Sequence, residues 1–227
     1  MDTREEILGA AWELYAARGF EDVSVRDVTQ AAGVNLASVS YHFGGKDGLV
    51  QETIKRCMNL MNRHRYELLG RQIDMHEGLE KLSLRAVLVA YLRPLIMPEE
   101  CGVPSALWLC LVARYLIEPD YRVPAESREL STETYALFVK ALKVHFPESS
   151  SEAILRHLVF VSGAAAYERG LGKLVAKLSG QLGIEKHVVE DRGDDGKDAN
   201  REQSLSDLIE FAIRGFGGDT HEADLAS

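Results

Sequence analysis

Residues 24–49 decide the fold of the N-terminal part of the chain: Ser24-Val-Arg-Asp-Val-Thr-Gln-Ala-Ala-Gly-Val-Asn35 is followed directly by Leu36-Ala-Ser-Val-Ser-Tyr-His-Phe-Gly-Gly-Lys-Asp-Gly-Leu49. Ser24 has the side chain of a helix N-cap, with Asp27 at the third position after it, and Gly33 suits the left-handed residue that ends a helix. Asn35 caps a second short helix, which ends at Phe43-Gly-Gly. Two helices of about two turns, joined at a glycine, have the form of a helix-turn-helix.

Helical periodicity extends over the rest of the chain. Thr3 and Glu6 form a capping-box pattern, and apolar residues follow at helical spacing, so a first helix is expected at about 3–18. A long fourth helix begins at Lys46. Later helices are expected at about 78–93, broken near Pro94, at about 104–117, 127–146 and 150–178, and from Ser204 to about Arg214.

The predicted fold class is therefore all-α, because no stretch alternates between apolar and polar residues long enough for a sheet. An N-terminal three-helix bundle with the helix-turn-helix, residues 1–47, precedes a larger helical ligand-binding and dimerisation domain, residues 48–227. The fourth helix, from about residue 46, connects them. Residues 185–203 are acidic and polar, which is typical of a flexible, solvated loop.

The second short helix carries the residues expected to contact a partner. Leu36, Val39 and Phe43 are predicted to face the core, which leaves a small, hydroxylated face toward solvent. Such a face lets a helix approach base edges, where Ala37 suits a thymine methyl group and serine hydroxyls suit several bases. Tyr41, His42 and Lys46 have the chemistry to bind phosphates. From spacing alone, an ordinary helical hairpin fits the pattern about equally well.

The segments Ser24 to Asn35 and Ser38 to Leu49 resemble the TetR/AcrR family of bacterial repressors, and the resemblance covers about residues 3–55. It implies a three-helix DNA-binding head, a connecting fourth helix, a divergent ligand-binding body and a homodimer held by the last long helices. It also implies that Tyr41 and Lys46 face phosphates. Ser40 departs from the family, in which a threonine or a leucine-type residue often precedes the tyrosine, so base preference cannot be transferred. The predicted DNA contacts are Ser24, Arg26, Asn35, Ala37, Ser38, Ser40, Tyr41, His42 and Lys46.

Aromatic and apolar residues recur at helical spacing in the body. Such stripes are ordinarily plain core, but the resemblance favours a ligand pocket. An apolar pocket with a few polar groups suits a hydrophobic or aromatic small molecule. The predicted lining residues are Tyr91, Trp108, Val112, Tyr115, Phe138 and His157.

The helix at about 150–178 has a wide apolar surface with the small residues Gly163-Ala-Ala-Ala, which let another helix approach closely. Together with the last helix, this surface is predicted to form a two-fold dimer interface. Burial within one chain is the alternative. The predicted interface residues are Leu155, Val159, Ser162, Gly163, Ala166, Leu208 and Phe216.

Composition excludes several classes of protein. A net charge of −9 argues against binding nucleic acid without sequence preference. The three cysteines form no Cys-x-x-Cys pair and the seven histidines are scattered, so we expect no metal site, no cofactor and no catalytic constellation. An acidic N-terminus is unlike a signal peptide, and no apolar run is long enough to span a membrane, so the protein is expected in the cytoplasm.

These patterns predict a DNA-binding repressor that is dimeric on a palindromic operator and is released by an unidentified small-molecule effector. Two alternatives remain at this stage. One is an all-helical interaction adaptor that makes no DNA contact. The other is a corepressor-dependent or activating regulator of the same fold.

Overall fold

The computed structural model describes residues 2–117, 125–181 and 194–217, except for the side chains of 113–117, 126, 168–180 and 194–199. All regular structure in these residues is helical, which confirms the predicted fold class. No helix within them combines the length and hydropathy needed to cross a bilayer. The helices are α1 (Thr3–Arg18), α2 (Val25–Ala32), α3 (Leu36–Phe43), α4 (Lys46–His76), α5 (Leu84–Ile96), α6 (Ser105–Ile117), α7 (Ala125–His145), α8 (Ser151–Gln181) and α9 (Asp194–Gly215), with short 3-10 turns at Leu79–Lys81 and Pro98–Cys101.

The bounds of α1 agree with the prediction, but its cap is a different residue. The side chain of Asp2 accepts a hydrogen bond from the backbone N–H of Arg4 at 3.1 Å, and Thr3 is already helical. The prediction of Thr3 as the cap was wrong because an N-cap residue must precede the first helical residue. The buried residues of α1 are Ile7, Leu8, Ala11 and Tyr15.

Helix α5 begins later and ends later than predicted. Ser83 caps it by accepting a hydrogen bond from the backbone N–H of Ala86 at 3.1 Å. The helix then continues through Pro94 to Ile96. Proline removes one backbone hydrogen bond and crowds the carbonyl of the residue four positions before it, yet Pro94 is accommodated in the last turn with its ring buried.

Helix α9 begins at Asp194, so residues 194–203 are helical although their composition predicted a loop. Acidic residues in a first turn stabilise a helix through its dipole. Glu202 pairs with Arg93 of α5 through two contacts of 2.7 and 3.2 Å. Composition carries no information about such a long-range ion pair. The rest of the predicted loop lies outside the described residues.

The chain forms two compact units. The first contains Met1–Arg63 and Pro98–Glu133, and the second contains His64–Met97 and Thr134–Ser227. Both α4 and α7 begin in the first unit and end in the second. The predicted boundary at residue 47 separates a DNA-binding domain from a ligand-binding domain. The two compact units are defined by packing and not by function, so this boundary stays a prediction.

Each unit has its own buried residues. In the first unit, α1, α2 and α3 pack on one another and α6 packs on α1. The ring centroids of Tyr15 and Phe20 lie 4.9 Å apart there. In the second unit, α5 packs on α8 and α9, and the rings of Tyr91 and Phe138 meet edge to face at 5.0 Å. The short helices of the first unit are therefore fixed by tertiary packing, which isolated two-turn helices need.

His145, at the end of α7, is expected to make the second unit sensitive to acid. Its Nε2 atom is buried and has no hydrogen-bond partner among the described residues. Burial lowers the pKa of His145, and a hydrogen bond to the backbone of Leu82 opposes this shift. The unfolded chain therefore binds this proton more readily than the folded protein, so stability is complete above about pH 6.5 and falls as the pH drops below it. In urea unfolding at pH 7, 6 and 5, His145→Gln should lose less stability with acid than the wild type. Equal losses would contradict the role of His145.

Candidate nucleic-acid interface

The turn between α2 and α3 has the predicted geometry. Gly33 adopts φ 66° and ψ 28°, a left-handed conformation that glycine adopts without steric cost. The backbone N–H of Val34 donates to the carbonyl of Thr29 at 3.0 Å and closes the last turn of α2. Asn35 then starts α3, because its side-chain oxygen accepts from the backbone N–H of Ala37 at 3.0 Å.

The start of α2 is a reciprocal capping box between Ser24 and Asp27, as predicted. The Ser24 hydroxyl accepts from the backbone N–H of Asp27 at 3.2 Å, while the Asp27 carboxylate accepts from the Ser24 backbone N–H at 2.7 Å and from its hydroxyl at 2.6 Å. The pKa of Asp27 is lowered below its usual value, chiefly by the hydrogen bond from the Ser24 side chain and then by the one from the Ser24 backbone. The positive charge of Arg18 lowers it further. The capping carboxylate thus stays ionised. The hydroxyl proton of Ser24, a predicted DNA contact, is already donated within the chain.

Helix α3 turns one continuous arc of side chains toward solvent. Leu36, Ala37, Ser40 and Tyr41 are exposed, and they fall within about 140° of the helix circumference at 100° per residue. Val39, on the opposite side, is fully buried. The predicted contacts Ser38 and His42 flank the arc and are half-buried, whereas Arg26 on α2 is exposed.

Leu36 does not face the core as predicted. It is 48% exposed, and Phe43 is only half-buried. Val39 is the buried residue of α3. Periodicity groups residues that are three or four positions apart but does not say which member of the group points inward. The pattern therefore does not identify Leu36 as a surface residue.

Tyr41 lies at one edge of the exposed arc, beside the half-buried His42. The side chain of Tyr41 is 85% exposed, and its ring meets the imidazole of His42 edge to face at 4.9 Å. A half-open cleft of about 330 Å³ lies beside His42, at the end of α3 and the start of α4. It is lined by Arg4, His42, Phe43, Gly48, Gln51, Glu52, Lys55 and Ala125.

Lys46, the first residue of α4, is held in place by the loop before α2. Its Nζ donates a hydrogen bond to the backbone carbonyl of Glu21 at 3.0 Å. A lysine ammonium has three N–H donors, so this contact orients the group and leaves donor capacity for an anion. The amino end of a helix favours negative charge at the same place.

Local charge differs from the charge of the whole chain. No Asp or Glu occurs from Val28 to Lys46, although the net charge of the chain is −9. The exposed arc of α3 therefore lies in a segment without carboxylates. A polyanion approaching this segment meets no negative side chain from it.

The predicted pocket residues fall in different compact units. Trp108 and Val112 are half-buried in the first unit, and the side chain of Tyr115 lies outside the described residues. Tyr91 and Phe138 are fully buried in the second unit, where His157 is half-buried and its ring lies 4.9 Å from that of Phe216. An open cleft of about 290 Å³ in the second unit is lined by other residues, namely Leu68, Gln72, Ser83, Arg85, Ala86, Val89 and Ala90.

Tyr91 belongs to a buried polar cluster that the sequence pattern does not indicate. The Arg65 guanidinium lies over the Tyr91 ring at 4.4 Å, and its Nε donates to the Tyr91 backbone carbonyl at 3.0 Å. The Tyr91 hydroxyl shares a hydrogen bond with Ser162 at 2.8 Å. Burial, together with the neighbouring hydroxyl of Tyr135, raises the pKa of Tyr91 and keeps it neutral. The residues of this cluster lie on four helices, α4, α5, α7 and α8, so spacing within one helix carries no signal of it.

The predicted dimer residues of α8 and α9 divide into exposed and packed ones. Leu155 and Val159 are exposed, whereas Leu208 is buried and Phe216 stacks on Phe146 at 5.3 Å. Gly163, Ala166 and Ser162 are half-buried. Three further large side chains of these helices, which the sequence analysis missed, are exposed: Phe160, Tyr167 and Phe211.

Residues 7–53 match the family model described as bacterial regulatory proteins, tetR family. A Bacillus subtilis protein named as a probable HTH-type transcriptional regulator, YttP, is 37% identical over 54 residues, which are 24% of this chain and 26% of that protein. The HTH-type transcriptional repressor KstR2 of Rhodococcus jostii is 34% identical over 80 residues, which are 35% and 39% of the two chains. This chain thus covers well under two thirds of either relative.

The fold likeness extends much further along the chain than the sequence likeness. The crystal structure of Mycobacterium smegmatis AmtR superposes with a TM-score of 0.57 over 100% of this chain and 92% of that one, at 21% identity. At 21% sequence identity, the match is evidence for a shared fold only. The matched N-terminal segment contains α2, the left-handed turn and α3 in full. Residues 7–53 are therefore similar to the N-terminal segment of the TetR family of bacterial regulatory proteins, and the fold of the chain is similar to that of AmtR.

Proposed function

We propose that this chain is a transcriptional repressor that binds a pseudo-palindromic operator as a homodimer and leaves it when a small hydrophobic molecule binds. The observation that carries the proposal is the exposed arc of α3, the second helix of a helix-turn-helix, in a segment without carboxylates. Residues 1–47 would form the DNA-binding domain and residues 48–227 the ligand-binding and dimerisation domain. Such a protein acts in the cytoplasm, where the chromosome is, and needs neither catalytic residues nor a cofactor.

On DNA, α3 lies in the major groove, as recognition helices do. Ala37 and Ser40, at the centre of the arc, are small enough for close approach to base edges. Tyr41 and Lys46 contact phosphates, and the hydrogen bond from Lys46 to Glu21 sets the direction of that contact. Supporting contacts come from the remaining predicted residues: Ser24, Arg26, Asn35, Ser38 and His42.

A homodimer is supported by the apolar face of α8. Leu155, Val159, Phe160 and Tyr167 lie within about 140° of the helix circumference, and Gly163 and the Arg156–Glu152 ion pair lie between them. Large exposed apolar faces of this kind are typical of protein interfaces, and a small residue at the centre lets a second helix approach. A second copy of the chain fits best, because two recognition helices are needed for two half-sites.

Release by an effector requires that its binding changes the spacing of the two α3 helices. Helix α4 begins at Lys46 in the first unit and reaches the second unit, so a shift of α4 would connect ligand and DNA. A 100-fold loss of operator affinity requires about 2.7 kcal/mol of coupling. Of the predicted lining residues, Tyr91, Phe138 and His157 lie in the second unit, and we propose that the effector binds beside them. The relative from Rhodococcus jostii is named a repressor, which favours repression over activation.

The test is selection of genomic DNA fragments by the purified protein, followed by fluorescence anisotropy on the enriched sequence across a salt series. We expect an inverted repeat, bound in a strongly salt-dependent manner. Lys46→Met should weaken binding and lower the salt slope by about two, one phosphate contact per half-site. Tyr41→Ala should weaken binding at every salt concentration.

Lys81→Met is the matched control, because Lys81 is an exposed lysine of the second unit, paired with Glu77 at 3.3 Å. It should bind the operator like the wild type. If no fragment is enriched with or without cell-extract metabolites, the adaptor without DNA contact replaces the proposal. Enrichment only in the presence of metabolites would indicate the corepressor-dependent regulator instead.

A further inference from the structure

The position of Leu36 indicates more about the operator than the helix-turn-helix alone. Leu36 is the first residue of α3 and is 48% exposed, although leucine is the largest apolar residue of this helix apart from Phe43. Its neighbour one turn along the helix, Ser40, is also exposed. Leu36 therefore forms one edge of the exposed arc at the amino end of α3, and Ser40 lies beside it one turn further along.

The side chains at the amino end of a recognition helix contact base edges in the major groove. Among the groups that DNA presents there, the thymine 5-methyl is the apolar one. A half-exposed leucine gains from covering that methyl group because both surfaces leave water. Facing only base oxygens and amino groups, the same leucine would bury polar atoms without hydrogen bonds.

We infer that Leu36 reads a thymine in each half-site of the operator through its 5-methyl group. This inference rests on the proposed DNA-binding function and adds a residue and a base preference to it. Ser40, which departs from the family pattern, then takes a neighbouring base through its hydroxyl. The operator should accordingly carry a thymine at one position of each half-site, related by the two-fold axis.

Deoxyuridine tests the inference directly, because it pairs like thymine and lacks only the 5-methyl group. Each thymine of the selected operator is replaced in turn, symmetrically in both half-sites, and affinity is measured for the wild type and Leu36→Ala. We expect one position at which deoxyuridine weakens wild-type binding about tenfold. Leu36→Ala should show a similar loss on the thymine operator and no further loss on the deoxyuridine operator.

Leu109→Ala is the matched control, because Leu109 is an exposed leucine of α6 in the same unit. It should show the full deoxyuridine effect. The circular dichroism spectrum of Leu36→Ala should match that of the wild type, since half of this side chain is already in solvent. The inference is overturned if Leu36→Ala retains the deoxyuridine effect or binds the thymine operator like the wild type. If the wild-type protein selects no DNA at all, the proposed function is overturned as well. That result is distinguishable from the two outcomes for Leu36→Ala.

Discussion

Gly48→Ala is expected to lower the free energy of unfolding by about 2–3 kcal/mol, a large part of the stability of a domain. Gly48 lies in the first turn of α4, where a Cβ atom would overlap the backbone carbonyl oxygen of Phe43 at the end of α3. A backbone atom cannot move aside as a flexible side chain can. The turn between the helices, built on Gly44 at φ 72° and Gly45 at φ 119°, would have to deform.

Helix propensity opposes this loss, because alanine is favoured over glycine in a helix interior by about 1 kcal/mol. Overlap with the backbone outweighs that gain. Both tryptophans of the chain, Trp12 and Trp108, belong to the first unit, so tryptophan fluorescence during denaturant unfolding reports on that unit.

Gly70→Ala provides the matched control in the same helix. A Cβ atom at Gly70 would meet nothing within 4 Å. Only the higher helix propensity of alanine remains, so the free energy of unfolding of Gly70→Ala should rise by about 0.5–1 kcal/mol. Circular dichroism is the readout for Gly70, which lies in the second unit. A Gly48→Ala variant that unfolds at the wild-type denaturant concentration would show that the α3–α4 turn accepts a side chain.

The features that sequence predicted well are local ones. Ser24 with Asp27, and Asn35 with the N–H of Ala37, form hydrogen bonds within four residues. Their geometry is set by neighbouring side chains, so the residue types alone indicate it. The left-handed Gly33 belongs to the same class.

The features that sequence could not provide depend on distant parts of the chain. Leu36 and Val39 are equally apolar in the pattern, and only the packing of the three short helices decides that Val39 is buried and Leu36 is not. Glu202 of α9 pairs with Arg93, which is far from it in sequence. The cluster around Arg65 requires residues that are far apart in sequence, which periodicity cannot bring together.

Val159→Arg should convert the proposed dimer into monomers and lower operator affinity at least about 100-fold. Val159 is 51% exposed within the apolar face of α8. In a two-fold interface the same surface occurs on both copies, so one substitution brings two positive charges into an apolar contact. A monomer binds one half-site at a time and loses the gain of about 10²–10⁴ from linked binding.

Sedimentation velocity distinguishes the two states, since the chain has a mass of 25.2 kDa. Val144→Arg is the matched control, because Val144 is an exposed valine of α7 in the same unit. We expect it to remain dimeric and to bind the operator like the wild type. Because half of the Val159 side chain already contacts solvent, the circular dichroism spectrum of Val159→Arg should be unchanged. A Val159→Arg variant that stays dimeric would exclude this face of α8 from the interface, whereas a monomer that keeps full operator affinity would separate DNA binding from dimerisation.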